Sequence, residues 1–145
     1  MYRHLLIATD GSPLANKAVE QGLSIAKVFN AKVTIVTVTE PWMMSAPGEV
    51  AVVFPLEEYE KAAASNASKI LKDASTAGTK YGIACETVHV KDQFPAEGIV
   101  DVAKAKGCDL IVMSSHGHRG LMRLVLGSQA NRVVTHSTIS VLICR

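Results

Sequence analysis

The 145-residue chain is 48% hydrophobic and 19% charged, with a formal net charge of +2. That is enough apolar chain for one domain with a sizeable core, and too small and scattered a positive balance for a nucleic-acid footprint. The apolar runs fall short of the roughly 18 residues a membrane helix needs. The N-terminus enters a strand-like pattern with no signal-peptide apolar region and cleavage site. The expectation is therefore a cytoplasmic protein, a single domain over residues 1–145, with no nucleic-acid and no membrane partner. Cys85, Cys108 and Cys144 are odd in number, widely spaced and set among apolar neighbours. They fit neither a disulfide framework nor a zinc site and read as reduced thiols in or near the core.

In chain order, Leu5-Leu6-Ile7-Ala8 is a continuous apolar run that predicts a strand over roughly Arg3 to Thr9, buried on both faces. It delivers Asp10 to its C-terminal end. Ser12-Pro13 supplies an N-cap and a proline at the first helical position. Ala15, Ala18, Val19, Gly22, Leu23, Ala26 and Phe29 then recur at helical spacing. Asn30-Ala31 turns the chain into a β-branched second strand, Val33 to Val38.

Thr39 to Phe54, with Pro41, Trp42, Met43, Met44, Pro47 and Gly48, is a long connection. Loops of this length in a compact domain are commonly lids or binding loops, and its apolar content disfavours simple disorder. Two readings stand: a lid or partner surface, and a segment folded back onto the core. A long second helix follows from Leu56 through Ala74, ending near Gly78, with Glu57, Glu58 and Glu60 in its first turn, where the helix dipole favours them. A third strand lies over roughly Ala84 to Val90. Pro95 opens a third helix that Gly107 closes at a C-cap. A fourth strand, Asp109 to Met113, precedes Ser114-Ser115-His116-Gly117-His118-Arg119-Gly120. The fourth helix is expected from about Ser128 to Thr135 and the fifth strand from Ser140 to Cys144. Alternation of this kind predicts an α/β fold, a doubly wound, mostly parallel five-stranded sheet with helices on both faces. Ligands of such sheets lie beyond the carboxyl ends of the strands.

The turn after the fourth strand is the main candidate site. Its glycines free the backbone to expose N–H groups, and Gly127-Ser128 stands just before the helical stripe Ala130, Val133, Val134. Phosphate is favoured where unpaired amides and a helix's positive end converge. Neither Gly-Lys-Ser/Thr nor Gly-x-Gly-x-x-Gly occurs, so this is neither a Walker loop nor a Rossmann fingerprint. His116 and His118 lack a third ligand and make no zinc site alone. No nucleophile elbow or Ser-His-Asp order is visible, so no catalytic residue is assigned.

On these residues the chain resembles the universal stress proteins. The nucleotide-binding members of that family carry Gly-x2-Gly-x9-Gly-Ser/Thr, and this sequence reads Ser114-x2-Gly117-x9-Gly127-Ser128. The opening Leu5 to Ser12 and the closing Ser140 to Cys144 look like the family's ends as well, so the likeness covers essentially the whole chain. The resemblance implies strand order 3-2-1-4-5, which brings Asp10 and Ser114 to the switch point between strands one and four. It implies a small stress-response protein that binds ATP or AMP and is regulatory, at most a slow ATPase. The alternative is an interaction protein with a vestigial pocket.

The implied contacts are the phosphates on the backbone of Gly117, Gly120, Gly127 and Ser128, with Gln129 beside them, and the adenine edge on the backbone of Val38. Asp10 would take the ribose hydroxyls, or a Mg or Mn ion carried by the nucleotide. Its other reading is an Asx-type cap on the Gly11-Ser12 turn. The protein alone holds no metal. Ser114 departs from the signature. If that position needs positive φ, serine costs about 1 to 2 kcal/mol there. If glycine serves only for close approach, the Ser114 hydroxyl is available to a ribose. The family also implies a homodimer through Ser140 to Cys144, an edge strand that is a liability unless paired.

Overall fold

The computed structural model describes residues 1–42, 55–118 and 125–145. Its strands are β1 (His4–Ala8), β2 (Lys32–Val38), β3 (Glu86–Val90), β4 (Leu110–Ser114) and β5 (Ser140–Cys144). Its helices are α1 (Pro13–Phe29), α2 (Leu56–Lys80), α3 (Pro95–Lys106) and α4 (Ser128–His136). The strands form one sheet in the order β3-β2-β1-β4-β5, and every pairing is parallel. The implied order is met, and the sheet is wholly parallel where the sequence promised only a mostly parallel one.

Alternate residues of each central strand serve opposite faces. Leu5, Ile7, Val33, Ile35 and Val112 pack under α1 and α2 with Leu23 and Leu71. Leu6, Ala8, Val36, Ile111 and Met113 pack under α3 and α4 with Ile99, Ala103 and Val133. Both faces of β1 and β4 are therefore covered, which is why those strands read as unbroken apolar runs. β3, at the edge of the sheet, has no fully buried residue, and its sequence pattern is correspondingly weak.

The helix ends follow from local chemistry. Ser12 caps α1, its hydroxyl accepting from Ala15 N at 3.2 Å, and Gly107 ends α3 in the left-handed region at φ 69°. α2 ends at Lys80, near Gly78 as expected, with Gly78 itself inside the last turn. A Cβ at Gly78 would sit 2.4 Å from Cys85 Sγ, so this glycine lets the helix close on the chain leading into β3. Asp109 lies just before β4, and its carboxylate accepts from the amides of Arg3 and His4, pinning the start of β1. All three cysteines are free thiols, Cys108 and Cys144 buried and Cys85 partly so. Among the described residues no helix is long and apolar enough to cross a membrane.

Candidate functional site

β1 leaves the sheet two residues before β2 does. Thr9 N donates to Val36 O at 3.0 Å, the last rung between the two strands. The next rung would join Val38 to Thr9 and Gly11, but Gly11 N turns instead to Thr9 Oγ1 at 3.1 Å. Every second residue of a strand directs its N–H and C=O at the same neighbour, so Val38 points both groups at the place β1 has vacated. No described residue takes up either group.

That gap opens into a crevice of about 580 Å³ at the carboxyl ends of the strands. Its walls include Asp10, Val38, Ser114, Gly117, Gly127, Ser128 and Gln129, so every sequence-predicted site residue within the described segments lines one space. Gly120 and Arg119 lie outside the described residues, as does the connection from Met43 to Phe54.

The crevice wall after β4 is held by a short network. Asp10 Oδ1 accepts from Ser12 N at 3.0 Å, the Asx turn foreseen as its alternative role. Asp10 Oδ2 accepts from His118 N at 3.0 Å. The His118 ring Nε2 lies 2.9 Å from Asp10 O. A carbonyl oxygen only accepts, so Nε2 carries a proton. Asp10 therefore holds the loop after β4 against the end of β1, and both carboxylate oxygens already have a protein donor.

Two glycines of the signature are required for contact, not for conformation. A Cβ at Gly117 would come 2.2 Å from Asp10 Oδ2, and one at Gly127 would come 2.4 Å from Ser115 O. Gly127 has φ −59°, open to any residue. Ser114 is a β4 residue outside the left-handed region; among the described residues the non-glycines there are Asn30 and Asp92. The Ser114 hydroxyl donates to His116 O at 2.7 Å.

The amides divide into engaged and open groups. Gly127 N donates to Ser115 O at 2.9 Å, so the expectation that Gly127 offers its amide to a ligand is not met in this conformation. No described residue accepts from Gly117 N, nor from Ser128, Gln129 and Ala130 in the first turn of α4, where the first internal bond is Asn131 N to Gly127 O. These are the orphan donors of a helix start, at its positive end. Gln129 has a role its sequence position did not disclose. Its Oε1 accepts from Ala96 N at 3.1 Å, capping α3, whose N-cap residue Phe94 has no side-chain acceptor.

Sequence reasoning also missed Thr39 and Tyr59, both on the crevice wall. Tyr59 OH donates to Glu40 O at 2.8 Å, and Thr39 Oγ1 lies 2.7 Å from His89 Nε2. Burial and the Lys91 charge hold His89 below the ordinary histidine value. A tyrosine one turn into a helix carries no signal that it will meet a residue 19 positions earlier. The described lining contains no lysine or arginine, and no group of three or more His, Cys, Asp or Glu side chains able to hold a metal occurs among the described residues. Among the described residues, an anion here would be met by backbone amides and a helix end.

Comparison with known proteins agrees in one direction. The family model described as "Universal stress protein family" matches residues 1–145. Universal stress protein YxiE of Bacillus subtilis strain 168 is 31% identical over 149 residues, covering 100% of both chains. Universal stress protein UspA from Lactobacillus plantarum superposes with a TM-score of 0.83 at 27% identity, over 99% of this chain and 98% of that one. A universal stress protein solved in complex with cAMP gives a TM-score of 0.73 at 25% identity, over 99% and 97%.

Proposed function

The chain belongs to the universal stress protein family, and on that premise we propose that it is a stress-response protein whose crevice binds ATP or AMP and acts by occupancy more than by turnover. One observation carries the reading: Gly117 and the first turn of α4, whose amides find no acceptor among the described residues, line the same crevice as Val38, whose N–H and C=O no described residue takes up. A polyanion suits the first group and the donor-acceptor edge of an adenine suits the second. The volume of about 580 Å³ falls in the range of small-molecule sites, about 300 to 1,000 Å³. The solved relative that holds cAMP supports an adenine nucleotide as the ligand class.

In this reading the phosphates lie on Gly117, Ser128 and Gln129 amides, with the Ser128 hydroxyl as a further donor. Charge-assisted bonds contribute roughly 1.5 to 3 kcal/mol each, so a few suffice for micromolar affinity, about 8 kcal/mol. Asp10 is the loop's anchor, and its remaining lone pairs are available to a ribose hydroxyl or to a Mg or Mn ion brought by the nucleotide. The protonated Nε2 of His118 faces Asp10 O and so does not serve as a base toward water. ATP turnover is expected to stay below about one per second, under ordinary enzyme rates. A cytoplasmic homodimer is part of the same reading.

The vestigial-pocket alternative draws on the engaged amides of Gly127 and His118. The two readings separate by denaturing purified protein and identifying released nucleotide by mass spectrometry. The proposal expects AMP, ADP or ATP at a substantial fraction of one per chain; none released, and none taken up from ATP with magnesium, selects the vestigial pocket.

A further inference from the structure

We propose that Ser114 and Asp10 form a two-sided clamp that fixes the peptide planes flanking Gly117 and aims its amide at a ligand phosphate; the second half of this statement rests on the nucleotide reading above. In a planar trans peptide the C=O and N–H point in opposite directions. His116 O and Gly117 N belong to one such plane. The Ser114 hydroxyl holds that carbonyl at 2.7 Å, which turns the Gly117 N–H the other way. The following plane contains Gly117 O and His118 N, and Asp10 Oδ2 holds its N–H at 3.0 Å.

Gly117 is thus set from both sides, while the space where its Cβ would stand is filled by the Asp10 carboxylate, 2.2 Å away. Its own amide is left without an acceptor among the described residues. Ser114 is 8% exposed, so water competes poorly for its hydroxyl, and a shielded hydrogen bond of this kind holds its geometry. A glycine at 114, as in the signature, has no group to hold the His116 carbonyl. The serine therefore replaces freedom at this position with an anchor. Its consequence is selection for a phosphate-bearing nucleotide over the nucleoside.

The test has two readouts. In the ligand-free protein, Ser114→Ala is expected to move the amide resonance of Gly117 in a ¹⁵N–¹H spectrum, and Ser114→Thr to leave it near its original place. An unmoved Gly117 resonance in Ser114→Ala overturns the clamp whether or not any nucleotide binds. By calorimetry, Ser114→Ala and Ser114→Gly are each expected to weaken ATP by about tenfold, the size of one hydrogen bond net of water. Adenosine affinity should stay the same, and Ser114→Thr should restore ATP binding. Equal losses for ATP and adenosine, or no loss for ATP, overturn the assignment. A wild-type protein that binds neither ligand sinks the nucleotide reading instead, and the Gly117 resonance then decides the clamp.

Discussion

Gly117→Ala would push a methyl group into the Asp10 carboxylate, where the built Cβ lies 2.2 Å from Oδ2. Displacing Asp10 would leave Ser12 N and His118 N without their acceptor. The expected loss is about 0.5 to 1.5 kcal/mol, the net worth of a hydrogen bond whose donor can still reach water, measured by urea denaturation. ATP affinity should fall with it. Asp10→Ala removes the same acceptor without the clash, so it should destabilise in the same direction and weaken ATP at least as much. A variant as stable as the parent would show that the loop does not depend on this carboxylate. Asp10 and Gly117 were each conspicuous in the sequence, and the switch-point argument brought them together before any coordinates. What could not be read was why glycine is needed. Close approach and positive φ leave the same letter in the sequence, and only the position of Oδ2 separates them. The hydroxyl bond of Ser114 and the capping role of Gln129 depend on partners that packing, not spacing, supplies.

Among the elements, α1 announces its start through Ser12-Pro13. Ser12→Ala should cost about 1 kcal/mol, seen as a fall of about 2 to 4 °C in Tm for a protein of this size. α3 and β4 carry a pH effect through the turn between them. Burial pushes the Cys108 thiol up from an ordinary 9.0 to about 11, with the charges of Asp109 and Glu86 adding to it. Above pH 9 the unfolded chain releases this proton while the folded one keeps it, so the unfolded state binds fewer protons and stability falls as pH rises toward 11. Below the ordinary value the contribution is fully present. Cys108→Ala should therefore show a shallower decline in urea midpoint across that interval than the parent, and parallel curves would contradict the assignment. Periodicity and caps located all nine elements of the described residues, and α2 stops two residues past the glycine near which its end was expected. Gly78 itself lies inside the helix, and a capping glycine and a packing glycine cannot be told apart until Cys85 is seen against it. β3 was weak in sequence because an edge strand needs apolar residues on less of its surface.

At the scale of the molecule, strand alternation made a parallel sheet legible, but the order β3-β2-β1-β4-β5 came from family resemblance, since several orders satisfy the same pattern and handedness. Among the described strands, that order leaves β5 paired on one side only. Cys144 O accepts from Ser115 N, so Val141 and Ile143, in the opposite phase, direct their backbone groups at the open edge. We expect a homodimer by light scattering, with Val141→Pro shifting it to monomer while keeping the fold, because proline removes a donor only from the outer side. A parent protein already monomeric would refute the edge pairing. The nucleotide reading has a more direct test. ATP with magnesium, titrated calorimetrically into protein stripped of any bound nucleotide, is predicted to bind one per chain with micromolar affinity, and more weakly to Gly117→Ala. Absence of any binding heat or displacement from the stripped, folded protein would contradict it.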